Sequence, residues 1–217
     1  TFLLKINGTG DEEWVKNYSI GNLHNFCSVK EANDGGYILA GTTEDDNTII
    51  DKNVYLMKTD ANGEEQWSQT YGENEVESFG YSVQQCNDGG YIICGDKVVG
   101  EYVNVWLIKT DQNGEEQWSQ TYEEIEVNST GYSVQQCNDG GYILTGYGSE
   151  TGSTSDDLIF LLKTNEFGNI TSTIEFPTIN KNLITTIDIL GRETNNNKGF
   201  QLHIYDDGSV EKKYLIK

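Results

Sequence analysis

The chain is short of histidine, of basic residues and of long apolar runs, and each shortage excludes a class of function. Its two histidines, His24 and His203, fall in a predicted loop and in the C-terminal tail, so we expect neither a Ser-His-Asp triad nor a zinc site. Lysine and arginine number 14 against 35 acidic residues, and the net charge of −21 repels nucleic acid. No apolar run reaches the roughly 18 residues of a membrane-spanning helix. We therefore predict no enzyme, no cofactor, no metal site and no transmembrane segment.

One phrase of the sequence, QQCNDGGYI, occurs at residues 84–92 and again at 135–143. Other features recur with the same period of roughly 52 residues, which indicates stacked supersecondary units. They are the aspartates of the DGG turns, Asp34, Asp88 and Asp139; the tryptophans of GDEEW and GEEQW, Trp14, Trp67 and Trp118; and the lysines that end apolar runs, Lys5, Lys58, Lys109 and Lys163. Glycine occurs 24 times and proline once, a composition that favours short strands joined by tight turns.

Each unit contains four segments of strand composition, which in the second unit read GYSVQQ, GYIICG, NVWLIKT and EEQWSQTY. The first two flank the Asp88-Gly89 turn, for which we predict type I′ geometry because glycine accepts positive φ. The last two flank a D-x-N-G turn, whose leading aspartate can bond its own downstream backbone. Two hairpins in succession make a four-stranded antiparallel sheet, and four strands per unit are typical of a β-propeller blade.

We therefore predict an all-β chain in two parts. Residues 1–176 form a β-propeller-like array of four-stranded antiparallel blades, about three blades and a partial one, and residues 177–217 form a small β tail. The blade turns and contacts with a structural role are Asp34, Gly35, Asp88, Gly89, Asp139, Gly140, Trp14, Trp67 and Trp118. Because a closed propeller has about 4 to 8 blades, we expect further blades upstream of Thr1, with a capped open arc as the alternative.

The excess of acidic over basic residues is confined to the part of the chain that ends at Pro177. Residues 1–177 contain 30 acidic and 8 basic residues, whereas residues 178–217 contain 5 and 6. The tail predicts strands around Ile184–Leu190, Phe200–Tyr205 and Val210–Ile216, with a hairpin on Asp207-Gly208. Such a piece is too small to build a core of its own. We expect it to be a separate element.

The tail motifs IDILGRE and IYDDGSVEKK resemble the C-terminal sorting signal of proteins exported by the bacterial type IX secretion system. The resemblance covers residues 182–217, and the positions that match the motif are Asp188, Gly191, Arg192, Asp206, Asp207, Gly208, Lys212 and Lys213. It implies a Gram-negative bacterium, an upstream Sec signal, the type IX machinery as a partner and a secreted or outer-cell-surface destination. In that family the tail is commonly removed. This tail is shorter than the sandwich of about seven strands that many such signals belong to, so it does not imply the same anchoring chemistry.

The repeats resemble the DGGYI.AG and YLLKTD..G...W..TY units of secreted bacterial β-propellers, a resemblance that implies the fold more than the function. Turns within hairpins are short and nearly invariant, whereas the other connections are long, diverse and acidic. The acidic residues in them are Glu44, Asp45, Asp46, Asp51, Glu73, Glu75, Glu77, Glu123, Glu124, Glu126, Asp156 and Asp157. This face suits Ca²⁺, basic proteins or amino sugars; the alternative is a solvated acidic surface.

These observations predict a non-catalytic secreted or cell-surface β-propeller that acts as a binding or scaffold protein. Its ligand would be a polysaccharide or a protein, bound through the acidic loops. The alternative is the C-terminal accessory region of an exported hydrolase, a glycosidase or peptidase, whose catalytic part lies upstream. Three of the four cysteines, Cys86, Cys94 and Cys137, stand at alanine-like positions and are predicted as small buried thiols, with a disulfide left open.

Overall fold

Strands and turns account for all regular structure that the computed structural model describes. It describes residues 1–18, 24–44, 52–122, 128–149, 157–177, 183–188, 192–194, 199–205 and 210–215, and within these ranges there is no helix, hence none that could span a bilayer. The chain divides into two compact units, Thr1–Pro177 and Thr178–Lys217.

The first unit begins with a two-stranded hairpin and continues with three four-stranded sheets. The hairpin consists of β1 (Phe2–Ile6) and β2 (Glu12–Asn17). The first sheet contains β3 (His24–Glu31), β4 (Tyr37–Glu44), β5 (Lys52–Thr59) and β6 (Glu65–Tyr71). The second sheet contains β7 (Ser78–Gln85), β8 (Tyr91–Val99), β9 (Tyr102–Thr110) and β10 (Glu116–Tyr122). The third sheet contains β11 (Asn128–Gln136), β12 (Tyr142–Ser149), β13 (Asp157–Thr164) and β14 (Ile170–Pro177). Each sheet is antiparallel with its strands in chain order. The predicted all-β class and four-stranded antiparallel sheets are confirmed.

Apolar side chains fill the space between consecutive sheets. Successive strand residues point to opposite faces, so Ile93 joins the core between the first and second sheets while Ile92 joins the core between the second and third. Strand β8 is therefore buried on both faces, which explains its continuous apolar run YIIC. The first strand of each later sheet lies against the sheet before it: β7 contacts β3, β4 and β5, and β11 contacts β7, β8 and β9.

The recurring tryptophan and tyrosine connect each sheet to the next one. The Trp67 ring centroid lies 5.8 Å from that of Tyr91, and a Cβ on Gly114 would lie 2.6 Å from Trp67 Cζ3. The Tyr71 hydroxyl donates a 2.6 Å hydrogen bond to the carbonyl of the same glycine. The hydroxyls of Tyr18 and Tyr122 donate in the same way to the carbonyls of Gly63 and Gly168, at 2.8 and 2.7 Å. Only glycine leaves room for the ring at these turns.

Two of the recurring lysines, Lys58 and Lys109, are buried and hold their own sheets together. The Lys109 ammonium donates to Asp88 at 2.7 Å, to the Thr110 carbonyl at 2.8 Å and to Gln117 at 3.1 Å. A Cβ on Gly90, the second glycine of the DGG turn, would lie 2.1 Å from the Thr110 carbonyl oxygen and 2.7 Å from the ammonium. The second glycine is therefore required for close approach, a reason that the sequence alone does not reveal.

The predicted type I′ turn is wrong. Gly89 has a φ of +86°, but Asp88 before it does not have positive φ. Gly89 N–H bonds the Cys86 carbonyl and Cys86 N–H bonds the Gly90 carbonyl. This is a three-residue loop in which one glycine takes the left-handed conformation. The D-x-N-G turn has the same geometry, and Asp111 accepts hydrogen bonds from the backbone N–H groups of Asn113 and Glu115, as predicted.

The second unit is a three-stranded antiparallel sheet. Its strands are β15 (Leu183–Ile187), β16 (Gly199–Tyr205) and β17 (Val210–Leu215), paired in chain order. All three strands predicted for the tail are present, with β15 shorter than expected. The predicted turn at Asp207-Gly208 lies outside the described residues.

Candidate functional site

The first strand of every four-stranded sheet has a β-bulge at the same position of the repeat. The ladder register shifts between Phe26 and Ser28, between Gly80 and Ser82, and between Gly131 and Ser133. The extra residues, Cys27, Tyr81 and Tyr132, have no partner in the ladder. A bulge re-aims the side chain that it carries and is common beside functional sites. We call these three residues the bulge row.

Close packing of the sheets explains why glycine precedes two of the bulges. A Cβ on Gly80 would lie 2.6 Å from the Gly41 carbonyl oxygen, and one on Gly131 would lie 2.4 Å from Cys94 Sγ. The first strand thus approaches the preceding sheet closely just before each bulge. The bulged residue that follows is free of this constraint, and its identity differs between the first sheet and the other two.

The bulge row brings two tyrosines together on the surface. The ring centroids of Tyr81 and Tyr132 are 5.3 Å apart with an interplanar angle of 56°. The Phe79 ring is stacked with Tyr81, at a centroid distance of 6.4 Å. Tyr132 is 53% exposed, so an aromatic surface is open to solvent at the junction of the second and third sheets. Such a surface suits apolar or cationic groups.

A buried carboxyl group lies beside this aromatic surface. Asp96 is paired with Phe79 in the β7–β8 ladder and is only 3% exposed. Its Oδ2 accepts a 2.8 Å hydrogen bond from the Thr130 hydroxyl, whereas its Oδ1 accepts none from the described residues. Burial raises the pKa of Asp96 to about 6; hydrogen bonds from Thr130 and Tyr81 oppose that rise, and the negative charge of Glu77 adds to it.

The aspartate at position 96 has no counterpart at the equivalent positions of the other two units. The equivalent positions, two residues after Ala40 and Thr145, hold Thr42 and Tyr147. A buried carboxyl with an unpartnered oxygen is unfavourable for folding, so a structural role alone does not account for it. Burial also raises the pKa of Tyr81, with the charge of Asp96 as the next cause.

The acidic connection between β6 and β7 is paired with lysines. Glu73 accepts a 2.5 Å hydrogen bond from Lys97, which lowers the pKa of Glu73, and Glu77 lies 3.2 Å from Lys52. The Lys52 ammonium also lies 5.2 Å from the centroid of the Phe79 ring. Glu75 has a φ of +65°, a left-handed conformation that glutamate rarely adopts.

The remaining acidic residues predicted for this face are placed as follows. Glu44 ends β4 and Asp157 begins β13. Asp45, Asp46, Asp51, Glu123, Glu124, Glu126 and Asp156 lie outside the described residues.

Two grooves lie at the opposite end of the sheets, beside the DGG turns. One, of about 560 Å³, lies between the second and third sheets and includes Trp118, Asp139 and Phe167. The other, of about 410 Å³, follows the first strands. Polar groups in them connect the sheets, since the N–H of Asn87 bonds Gln136 Oε1 at 2.9 Å. These grooves are part of the scaffold that positions the bulge row.

The residues predicted for the blade turns are scaffold residues in the structure. Asp34, Asp88 and Asp139 bind the ammonium groups of Lys58, Lys109 and Lys163; Gly35, Gly89 and Gly140 have positive φ; and Trp14, Trp67 and Trp118 pack against the next sheet. The hydrogen bond from Lys58 lowers the pKa of Asp34. All four cysteines are free; Cys86 and Cys94 are buried as predicted, whereas Cys137 is half-buried.

The described sorting-signal residues lie in the second unit. Asp188 and Arg192 are bonded to each other through the Arg192 backbone N–H at 3.1 Å and the guanidinium at 2.9 and 2.7 Å. Lys212 and Lys213 lie on β17, opposite Leu202 and Gln201 of β16. Gly191, Asp206, Asp207 and Gly208 lie outside the described residues.

Sequence reasoning missed Tyr81, Tyr132 and Asp96 as site residues. The available signal was the alignment of the three units, in which Asp96 replaces a threonine and a tyrosine. No group of three or more metal-ligating side chains is present among the described residues. No protein-family model matches the chain, and no curated protein sequence matches it.

Proposed function

We propose that the chain is a non-catalytic, secreted or cell-surface β-propeller binding protein of a Gram-negative bacterium, exported by type IX secretion. The binding role is inferred from one contrast. Most contacts between strands and sheets repeat from unit to unit, whereas one surface has residues that do not repeat. The lysine–aspartate pair, the tryptophan and the tyrosine keep the same contacts from sheet to sheet. The bulge row and Asp96 do not, and they lie at the end of the sheets that carries the diverse connections.

The stacking of the sheets supports a propeller arrangement. In the described part of the chain, consecutive four-stranded sheets pack on each other through a shared apolar core, and the first strands of the second and third sheets lie against the sheet before. In a propeller this arrangement places the first strands around the central axis and the diverse connections on one face. The bulge row would then face the axis near that surface.

The tail supports the export proposal through its sequence and through the Asp188–Arg192 pair. The paired side chains join the two ends of the GR-containing motif; Arg192 is 71% exposed and Asp188 23% exposed. Two guanidinium N–H groups that donate to Asp188 Oδ2 fix the local geometry while keeping the guanidinium accessible to a receptor.

Export is tested in a bacterium with type IX secretion, using the chain behind a Sec signal and separating cells, periplasm and medium. We expect the wild type outside the cell and Asp188→Asn retained in the periplasm in folded form. Glu193→Gln, an exposed neighbouring change that keeps the ion pair, is the control and should be exported. Equal export of both variants, or periplasmic retention of the wild type, would contradict the export proposal.

A further inference from the structure

The tyrosines of the bulge row and Asp96 combine features suited to a cationic group. The rings of Tyr81 and Tyr132 contact each other, with centroids 5.3 Å apart, and Tyr132 is 53% exposed. Aromatic faces attract cations through the ring quadrupole. The carboxyl group adjacent to Tyr81 supplies a negative charge in surroundings where water screens little of it.

The unpartnered oxygen of Asp96 is the second, independent observation. Asp96 is 97% shielded from solvent, and Oδ1 accepts no hydrogen bond from the described residues. A buried acceptor without a donor costs free energy, so the scaffold alone does not account for this carboxylate. Thr42, at the equivalent position of the first sheet, instead accepts a 3.3 Å hydrogen bond from the Gly80 N–H. The second sheet has thus exchanged a paired hydroxyl for a carboxyl group of which one oxygen, Oδ2, is hydrogen-bonded to Thr130 and the other is bonded to no described residue.

The chain itself shows which cation the surface accepts. The Lys52 ammonium lies over the Phe79 ring and beside Glu77, so a lysine already occupies the aromatic and acidic surface next to Tyr81. The net charge of −21 draws basic partners towards the molecule. A lysine side chain also has the length to lay its stem on the protein surface and carry its ammonium onto the exposed ring of Tyr132.

We propose that Tyr81, Tyr132 and Asp96 bind the ammonium group of a lysine side chain on a partner protein. This inference rests on the proposed binding function and names its ligand class. The two rings contact each other, so the ammonium lies over their solvent-exposed side, at Tyr132, and is attracted by the carboxylate next to Tyr81. The rings provide the surface, and the buried charge distinguishes a lysine from a neutral side chain of the same shape.

The test uses the full chain and a short glycine-serine peptide with four lysines, titrated by calorimetry at pH 7.5 and physiological salt. The same peptide with acetylated lysines is the neutral control, and we expect it to bind about tenfold more weakly or not at all. A glucosamine oligomer offers the same ammonium on a saccharide. Its binding in place of the peptide would overturn the protein partner in favour of an amino sugar.

Matched variants separate this site from general attraction to an acidic protein. Tyr132→Ala should weaken peptide binding about threefold, and Asp96→Thr about tenfold. Tyr102→Ala removes a tyrosine of similar exposure, 45%, and Glu101→Gln removes an exposed charge, so both should keep wild-type affinity. Circular dichroism checks that every variant is folded.

Equal affinity of all four variants would show attraction to the acidic surface alone and would overturn the proposal. Failure of the wild type to bind the peptide would overturn it too, while export in the secretion experiment would leave the export proposal standing. Site-dependent binding by a protein that is not exported would support the lysine site and contradict only the export proposal.

Discussion

Replacing Asp96 with threonine should stabilise the protein, and by more at pH 7.5 than at pH 4.5. The carboxyl is almost fully buried, and burial raises its pKa to about 6 from the ordinary 3.8. Between these two values the folded state holds the proton more tightly than the unfolded state does. The contribution of Asp96 to stability is therefore fully present below about pH 4 and is lost as the pH rises through about 6.

The size of the effect follows from the pKa difference. One pKa unit corresponds to about 1.4 kcal/mol, so raising the pH from 4.5 to 7.5 should lower the free energy of unfolding by about 2 kcal/mol through Asp96 alone. Threonine does not titrate and has a precedent at this position in Thr42. The stability difference between Asp96→Thr and the wild type should thus be about 2 kcal/mol larger at pH 7.5 than at pH 4.5.

The assay is urea unfolding of both proteins at the two pH values, followed by tryptophan fluorescence. Comparing variant with wild type at each pH cancels the titration of the other carboxyl groups, including Asp34 and Asp139, whose pKa values are lowered by their lysines. Glu101→Gln, an exposed change that removes the same charge, serves as the control for the loss of one negative charge. The same stability difference at pH 4.5 and pH 7.5 would refute a raised pKa for Asp96.

Three further outcomes are expected from the scaffold and the site. Gly90→Ala should lower the free energy of unfolding by about 3 kcal/mol, because its Cβ would lie 2.1 Å from a carbonyl oxygen. Gly89→Ala, with open space around its Cβ, should lower it by about 1 kcal/mol. Equal losses of the two variants in urea unfolding would contradict this difference. Tyr71→Phe should cost about 1 kcal/mol through the lost hydrogen bond to Gly114, and the exposed control Tyr102→Phe should cost nothing measurable in thermal unfolding. Lysine-peptide affinity should fall as the pH drops through about 6 because Asp96 becomes protonated, and an unchanged affinity in Asp96→Thr over the same range is the internal check.

The strands could be predicted from the sequence because the same pattern of strand and turn residues occurs in three successive units. Segments such as NVWLIKT and EEQWSQTY recur with their turns, and hairpin turns depend on local chemistry that the letters display. The turn type was wrong because Asp-Gly is compatible with more than one loop length. The ladder decides between them, and it places the positive φ on Gly89 alone.

The candidate site could not be predicted in the same way because it depends on packing between sheets. The bulges at Tyr81 and Tyr132 arise where the first strand approaches the preceding sheet, and no local pattern encodes that approach. The acidic loop prediction was made from charge alone. It did not foresee that Lys97 and Lys52 would pair with Glu73 and Glu77, because partners far apart in sequence are brought together only by the fold.

The hydrogen bond from a tyrosine hydroxyl to a glycine carbonyl runs the same way at every junction between sheets, from the earlier sheet to the later one. In each pair the earlier sheet presents the tryptophan and the tyrosine, and the later sheet presents the turn that receives them, as in Tyr122 and Gly168. The two faces of a sheet are therefore unlike: one carries the aromatic side chains and the other carries the glycine turn that receives them. If a sheet were turned over, aromatic side chains would meet aromatic side chains at one interface and turns would meet turns at the other. Duplication of one unit would consequently add a sheet that fits its neighbours in a single orientation, without any new interface having to arise.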